Sequence, residues 1–149
     1  MRHLLVRVCL ALLLAGTASA LAQGAAAPGA AAFTQDQVTA GHKAYYTFCG
    51  ECHGDGLAGS GEVPPLTGGV FVADWSGKSI QDFYAFVSTA MPQGLAGDLS
   101  QVQYSDIIAY ILAANGATPG TAAFDKDSGV KIGAVADGKI VAAVISGGP

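Results

Sequence analysis

Residues 48–56, FCGECHGDG, place two cysteines and a histidine in the pattern C-x-x-C-H, from Cys49 to His53. Three kinds of site use soft ligands at this spacing: a zinc site, a redox dithiol and a haem attachment point. The rest of the chain offers one more cysteine, Cys9, which is too few for a disulfide framework. The remainder of the sequence must therefore decide among the three.

Zinc and disulfide exchange explain this motif poorly. A structural zinc site needs four ligands. Cys49 and Cys52 could supply two, and His42 or His53 a third, but no cysteine or histidine follows His53, so a zinc site is possible but incomplete. A redox dithiol lies where a strand meets a helix, whereas a glycine-rich loop follows this motif. In C-x-x-C-H, by contrast, two thiols bond to the vinyl groups of one haem and the adjacent histidine coordinates its iron. We predict covalent haem c at Cys49 and Cys52, with His53 as an axial ligand.

The first 22 residues have the pattern of a secretory signal peptide. Two arginines and a histidine precede an apolar run over residues 8–15, and small residues close it. This run is shorter than the ~20 residues that span a bilayer. We therefore predict cleavage after about residue 22, loss of Cys9, and a periplasmic protein with no stable membrane insertion. A retained anchor is the alternative.

The charge of the exported chain excludes one class of partner. After residue 22 there are five lysines, no arginine and eleven acidic residues, which gives a formal charge of −6. A nucleic-acid-binding surface needs a basic patch, so we expect no nucleic acid. Export also disfavours a free dithiol, which would not persist in an oxidising compartment.

The pattern along the chain predicts one helical domain with appendages. Residues 23–33 form an alanine- and glycine-rich linker, residues 34–118 the domain, and residues 119–149 a C-terminal extension. Capping boxes predict helices that start after Thr34 and Ser100, and Ser79, with Asp82 three residues on, predicts the start of another helix. We expect these helices to end near Phe48, at Ala90 before Pro92, and at Asn115–Gly116.

Two other segments lack such helix signals. Residues 54–78 contain seven glycines and Pro64-Pro65, which predicts loop. The extension has two β-prone runs around Asp137–Gly138, which predict a hairpin or, failing that, an extended or docking tail.

The sixth ligand of the iron is predicted to be Met91. It is the only methionine after the signal peptide, and it precedes Pro92 in a turn between two helices. His42, seven residues before Cys49 on the same helical face, is the competitor. Histidine–methionine ligation fills both axial positions, so the iron would carry electrons rather than bind peroxide or dioxygen. We expect an electron carrier rather than an enzyme.

Residues 34–116 resemble a class I c-type cytochrome. The resemblance implies an all-α fold, with three to four helices around one covalently bound haem. It also implies that the first and last helices cross in close contact at a glycine. Here Gly41 and Tyr45 of the first helix would face Ile107 and Tyr110 of the last.

The same resemblance assigns roles in the loop after the motif. In VPPL, residues 63–66, the carbonyl of Pro64 is implied to accept the free ring N–H of His53; Pro65 is the alternative, and Leu66 completes the motif. Trp75 is implied to hydrogen-bond a haem propionate or to pack in the core.

Residues 71–116 resemble cytochrome domains and subunits that accept electrons from periplasmic quinoprotein dehydrogenases. The implied function is single-electron transfer from such a dehydrogenase to an oxidase or another cytochrome. A subunit of a quinoprotein dehydrogenase complex is one alternative, and a haem peroxidase or gas-binding protein with an open sixth site is another.

Overall fold

The computed structural model describes residues 33–147. The predicted signal peptide, and all of the predicted linker except Phe33, lie outside them. Within this range the structure has helices and no β-strand, as the all-α prediction requires. The elements, in chain order, are α1 Gln35–Phe48, α2 Gly50–His53, α3 Gly68–Trp75, α4 Ile80–Ala90, α5 Gln101–Ala114, a 3₁₀ turn Ile132–Ala134 and α6 Ala142–Ile145. None of the described helices has the length and apolar character needed to cross a bilayer.

The three predicted helices α1, α4 and α5 are confirmed with their capping boxes. Thr34, Ser79 and Ser100 each accept a hydrogen bond from the backbone three residues on, and the side chain at that position bonds back. Each box satisfies N–H groups that a helix start otherwise leaves unpaired. Phe33, which directly precedes the first cap residue, is fully buried.

Helices α1 and α5 cross in close contact, as the resemblance implies. A Cβ added to Gly41 would lie 1.8 Å from the carbonyl oxygen of Asp106 and 2.9 Å from Cβ of Tyr110. Only a residue without a side chain allows the two backbones to approach this closely. Tyr45 and Ile107 are buried at the same interface, and the Tyr45 and Tyr110 rings lie 5.3 Å apart.

Helix α3 corrects the prediction of loop over residues 54–78. It begins at Gly68, whose φ of +74° lies in the left-handed region that favours glycine. The helix is stabilised by tertiary packing, since the buried ring of Phe71 contacts Phe83 of α4 edge-on at 5.5 Å. Its two initial glycines have low helix propensity, so local propensity does not predict this helix.

The predicted hairpin in the extension is wrong. The extension instead packs on its own domain, with the 3₁₀ turn and the short helix α6 as its regular elements. The N–H groups of Gly138 and Val141 donate to the carbonyls of Asn115 and Ala114 at 3.1 and 3.0 Å. These bonds satisfy carbonyls at the end of α5, so they replace the cross-strand bonds of a hairpin. Ile132 of the 3₁₀ turn is fully buried, which anchors the extension in the core.

A buried carboxyl group on α5 makes the stability of the fold depend on pH. Asp106 accepts a hydrogen bond from Gln37 Nε2 at 3.2 Å and is nearly inaccessible to solvent. Burial raises the pKa of Asp106 above its ordinary value, although the bond from Gln37 opposes the rise. The native state therefore binds the carboxyl proton of Asp106 more tightly than the unfolded state does. This proton binding stabilises the native state at low pH, and the stabilisation is lost as the pH rises through the native pKa.

We therefore expect Asp106→Asn to melt at a higher temperature than the wild type at about pH 7, and the difference to shrink towards about pH 4. The asparagine oxygen can still accept from Gln37, so only the buried charge is removed. Thermal melts at several pH values measure the effect, with the exposed Asp98→Asn as the matched loss of one charge. A lower melting temperature for Asp106→Asn at neutral pH would contradict the expectation.

Candidate haem-binding site

The C-x-x-C-H motif lies on its own short helix. Cys49 ends α1 with φ −125° and ψ −30°, and α2 begins at the next residue. The N–H of His53 donates to the carbonyl of Cys49 at 2.9 Å, so one helical turn joins the first cysteine to the histidine. The Tyr45 hydroxyl donates to the carbonyl of Gly54 at 2.7 Å and ties the end of this turn to α1.

The ring of His53 is held by the loop that follows. Its Nδ1 lies 3.0 Å from the carbonyl oxygen of Pro64. A carbonyl oxygen can only accept, so Nδ1 carries the proton and donates it. The other ring nitrogen, Nε2, then keeps its lone pair free for a metal. Of the two prolines considered, the structure places the carbonyl of Pro64 on this ring, and Pro65 follows it.

The loop between His53 and Pro64 is tightly closed by backbone bonds. Gly59 donates to the carbonyl of His53, and Leu66 donates to the carbonyl of Leu57, each at 2.8 Å. Leu57 is fully buried with φ +56°, a strained value for leucine that its surroundings hold in place. This role of Leu57 is not visible in the sequence, because a leucine in a glycine-rich stretch carries no signal of it.

The two thiols do not form a disulfide, and the Cys49 thiol is unsuited to disulfide exchange. Burial raises the pKa of the Cys49 thiol to about 11, and neighbouring Cys52 adds to the rise. A redox dithiol needs the opposite shift, because the thiolate is the nucleophile. The zinc alternative gains no ligand set either, since no three histidine, cysteine or acidic side chains within residues 33–147 converge to hold a metal ion.

The same residues fit a covalently attached haem. The two free thiols lie three positions apart in one helical turn, with Cys52 exposed and Cys49 partly buried. His53 follows directly, with its proton on Nδ1 and its Nε2 lone pair available. The donor set, the spacing and the tautomer are those that haem attachment and axial ligation require.

Met91 lies at the end of α4, partly buried against the core. Its carbonyl accepts a hydrogen bond from the Tyr104 hydroxyl at 2.9 Å, and that hydroxyl also accepts from the N–H of Gly97. Tyr104 thereby holds both ends of the loop after Met91. This role of Tyr104 is not visible in the sequence, because the periodicity of a helix does not report on hydroxyl partners.

The competing histidine is engaged elsewhere. His42 Nε2 lies 3.2 Å from the carbonyl oxygen of Ile145 in α6, and its ring lies 4.8 Å from that of Tyr46 and 5.2 Å from that of Tyr110. These contacts place His42 under the C-terminal extension. They disfavour it as a ligand, although the choice of Met91 stays a prediction.

The other predicted pocket residues divide between two clusters. Tyr110 and Ile107 lie at the α1–α5 crossing, where burial raises the pKa of the Tyr110 phenol to about 12 and so keeps it neutral. The half-buried Trp75 packs against Phe83 with ring centroids 4.5 Å apart, and Lys78 Nζ lies 4.1 Å above its ring. Packing is therefore observed for Trp75, and its role towards a propionate stays a prediction.

One family model and one solved structure are similar to this chain. The family model described as cytochrome C oxidase, cbb3-type, subunit III matches residues 36–111, just over half of the chain. A chain in the crystal structure of the sulfane dehydrogenase SoxCD from Paracoccus pantotrophus is 22% identical, with a TM-score of 0.46. That match covers 73% of this chain and 55% of the SoxCD chain, so it spans little more than half of the latter. No curated protein matches. The matched family and the helical fold together show that the chain belongs to the cbb3-type subunit III family of cytochromes and is a class I c-type cytochrome, which transfers electrons through haem.

Proposed function

We propose that this protein is a periplasmic single-electron carrier with one haem c, bound through Cys49 and Cys52 and ligated by His53 and Met91. The observation that carries the proposal is the bond from His53 Nδ1 to the Pro64 carbonyl at 3.0 Å. It fixes the ring plane and leaves Nε2 as the only ring nitrogen able to coordinate. A haem bound there supplies a one-electron ferrous–ferric couple.

The protein contributes a rigid setting for electron transfer. The His53 ring is held by a loop with two closing backbone bonds, and the Met91 carbonyl is held by Tyr104. Ligands held at fixed positions in both oxidation states need little rearrangement when the electron arrives or leaves. This arrangement supports a carrier more than an enzyme, since a catalytic site must keep one iron position open.

The charge around the motif indicates the chemistry of the partner. Glu51 and Asp55, close to Cys52 in the chain, and Glu62 in the following loop are exposed. No lysine or arginine occurs between Lys43 and Lys78. Complementary charge steers transient redox encounters. We infer that the donor, a periplasmic dehydrogenase with a quinone cofactor, and the acceptor, an oxidase or another cytochrome, present basic docking faces to this side.

The absorption and EPR spectra of the purified holoprotein test the ligand assignment. We expect a low-spin ferric protein with the far-red methionine–iron charge-transfer band, and we expect Met91→Ala to lose that band. A high-spin wild-type protein, or unchanged ligation in Met91→Ala, would favour the open-site alternative. His42→Ala is the control. Because the His42 side chain bonds to Ile145, we expect its removal to leave the spectrum unchanged.

The alternative, a subunit of a quinoprotein dehydrogenase complex, would use the extension over residues 119–149 to dock. The extension is already committed to its own domain through the buried Ile132 and the bonds to the end of α5. Co-purification of the full chain with a dehydrogenase from its native periplasm distinguishes a stable subunit from a free carrier.

A further inference from the structure

Asn115, at the end of α5, is the only asparagine in the chain and is fully buried. Its Oδ1 accepts from the N–H of Gly68 at 2.9 Å. Its Nδ2 donates to the carbonyls of Leu66 at 2.9 Å and Ile111 at 2.8 Å. The orientation of the amide is fixed by these partners, because Gly68 can only donate and the two carbonyls can only accept.

These contacts brace the loop that carries Pro64. Leu66 is held on both sides, by Asn115 at its carbonyl and by Leu57 at its N–H. Pro64, two residues earlier, supplies the carbonyl that accepts from His53 Nδ1. The path from Asn115 to the histidine ring is therefore one hydrogen bond, two residues of chain, and a second hydrogen bond.

The C-terminal extension bonds to the backbone of Asn115, whereas the side chain of Asn115 bonds to Gly68, Leu66 and Ile111. Its backbone carbonyl accepts from the N–H of Gly138 at 3.1 Å, and the carbonyl of Ala114 accepts from Val141 at 3.0 Å. The extension thus completes the end of α5, which a helix otherwise leaves with unpaired carbonyls. Asn115 lies where α5, the extension and the Pro64 loop meet.

We propose that Asn115 is a positioning residue that holds the Pro64 carbonyl on His53 Nδ1 and thereby lowers the reduction potential of the iron. A bond from Nδ1–H to a carbonyl makes the imidazole a stronger electron donor, which stabilises ferric iron. Loosening the loop weakens that bond and favours ferrous iron. The inference rests on the proposed function, because it needs His53 as an axial ligand.

The test compares the haem-loaded full chain with Asn115→Ala and Asn115→Ser. We expect Asn115→Ala to shift the iron towards the ferrous state by up to about tenfold, which is about 59 mV upward for a one-electron couple. In the diamagnetic ferrous protein, the Nδ1–H proton resonance of His53 should move towards that of a weaker hydrogen bond. Asn115→Ser, whose hydroxyl leaves room for a water, should show a smaller shift in the same direction. The serine variant replaces the alanine variant in the test if the alanine variant does not accumulate.

Ile132→Ala is the matched control for lost stability. Ile132 is fully buried in the extension, and its backbone N–H bonds to Lys78 rather than to the Pro64 loop. Its variant should melt earlier with an unchanged potential and resonance. The proposal is overturned if the Asn115 variants keep the wild-type reduction potential and Nδ1–H resonance, or if their potential falls. It is also overturned if Ile132→Ala shifts the potential and the resonance as much as the Asn115 variants do. A wild-type chain without covalent haem overturns the proposed function as well, and that is visible before any variant is made.

Discussion

Gly41→Ala is expected to destabilise the folded protein by about 3 kcal/mol or more, a large part of the roughly 5–15 kcal/mol that holds a domain of this kind together. The new methyl group would lie 1.8 Å from the Asp106 carbonyl oxygen and 2.5 Å from its carbon, both backbone atoms that cannot rotate away. Contacts between heavy atoms are favourable near 3.5–4.0 Å. Helices α1 and α5 must therefore separate along their shared interface. The gain of about 1 kcal/mol in helix propensity does not offset that loss.

Denaturant unfolding of the purified holoprotein measures this effect, and Gly69→Ala is the matched control. Gly69 also lies in a helix, α3, and a Cβ there would meet nothing within 4 Å. We expect Gly69→Ala to leave the stability unchanged or to raise it slightly. Equal stability of Gly41→Ala and the wild type would show that the two helices do not approach as described.

The sequence predicts the three capped helices well because their signals are local. Thr34 with Gln37 and Ser100 with Gln103 each satisfy unpaired N–H groups within four residues, so no tertiary contact is needed to recognise the helix start. The attachment motif is equally local, because covalent chemistry requires Cys49, Cys52 and His53 at one spacing. Features of this kind can be recognised without knowing how the rest of the chain folds.

The features that the sequence does not predict depend on distant partners. Helix α3 starts with two glycines and is stabilised by Phe71 against Phe83. The extension has β-prone residues, but Gly138 donates to α5 rather than to a second strand. Asn115 resembles an ordinary helix end, and only the fold shows that its side chain bonds the loop beside Pro64. Propensity is a weak guide where tertiary contacts satisfy the backbone.

His53→Ala is expected to yield no low-spin holoprotein, whereas His42→Ala should yield a normal one. Removing His53 deletes the side chain that bonds to the Pro64 carbonyl, together with the Nε2 lone pair predicted to bind iron. His42, the only other histidine after residue 22, keeps its Nε2 on the Ile145 carbonyl at 3.2 Å. Its loss should cost only about 1–2 kcal/mol of stability, through contacts with Tyr46 and Tyr110.

Low-temperature EPR of the ferric variants, together with thermal melts, separates these two roles. Loss of an iron ligand changes the spin state, whereas loss of a packing residue changes the melting temperature. Imidazole added to His53→Ala should restore a low-spin signal wherever haem is attached, because it replaces the missing donor without replacing the side chain. A His42→Ala protein that lost the low-spin signal, beside a His53→Ala protein that kept it, would reverse the assignment. It would place the iron at the α1–α6 contact instead of beside the Pro64 loop.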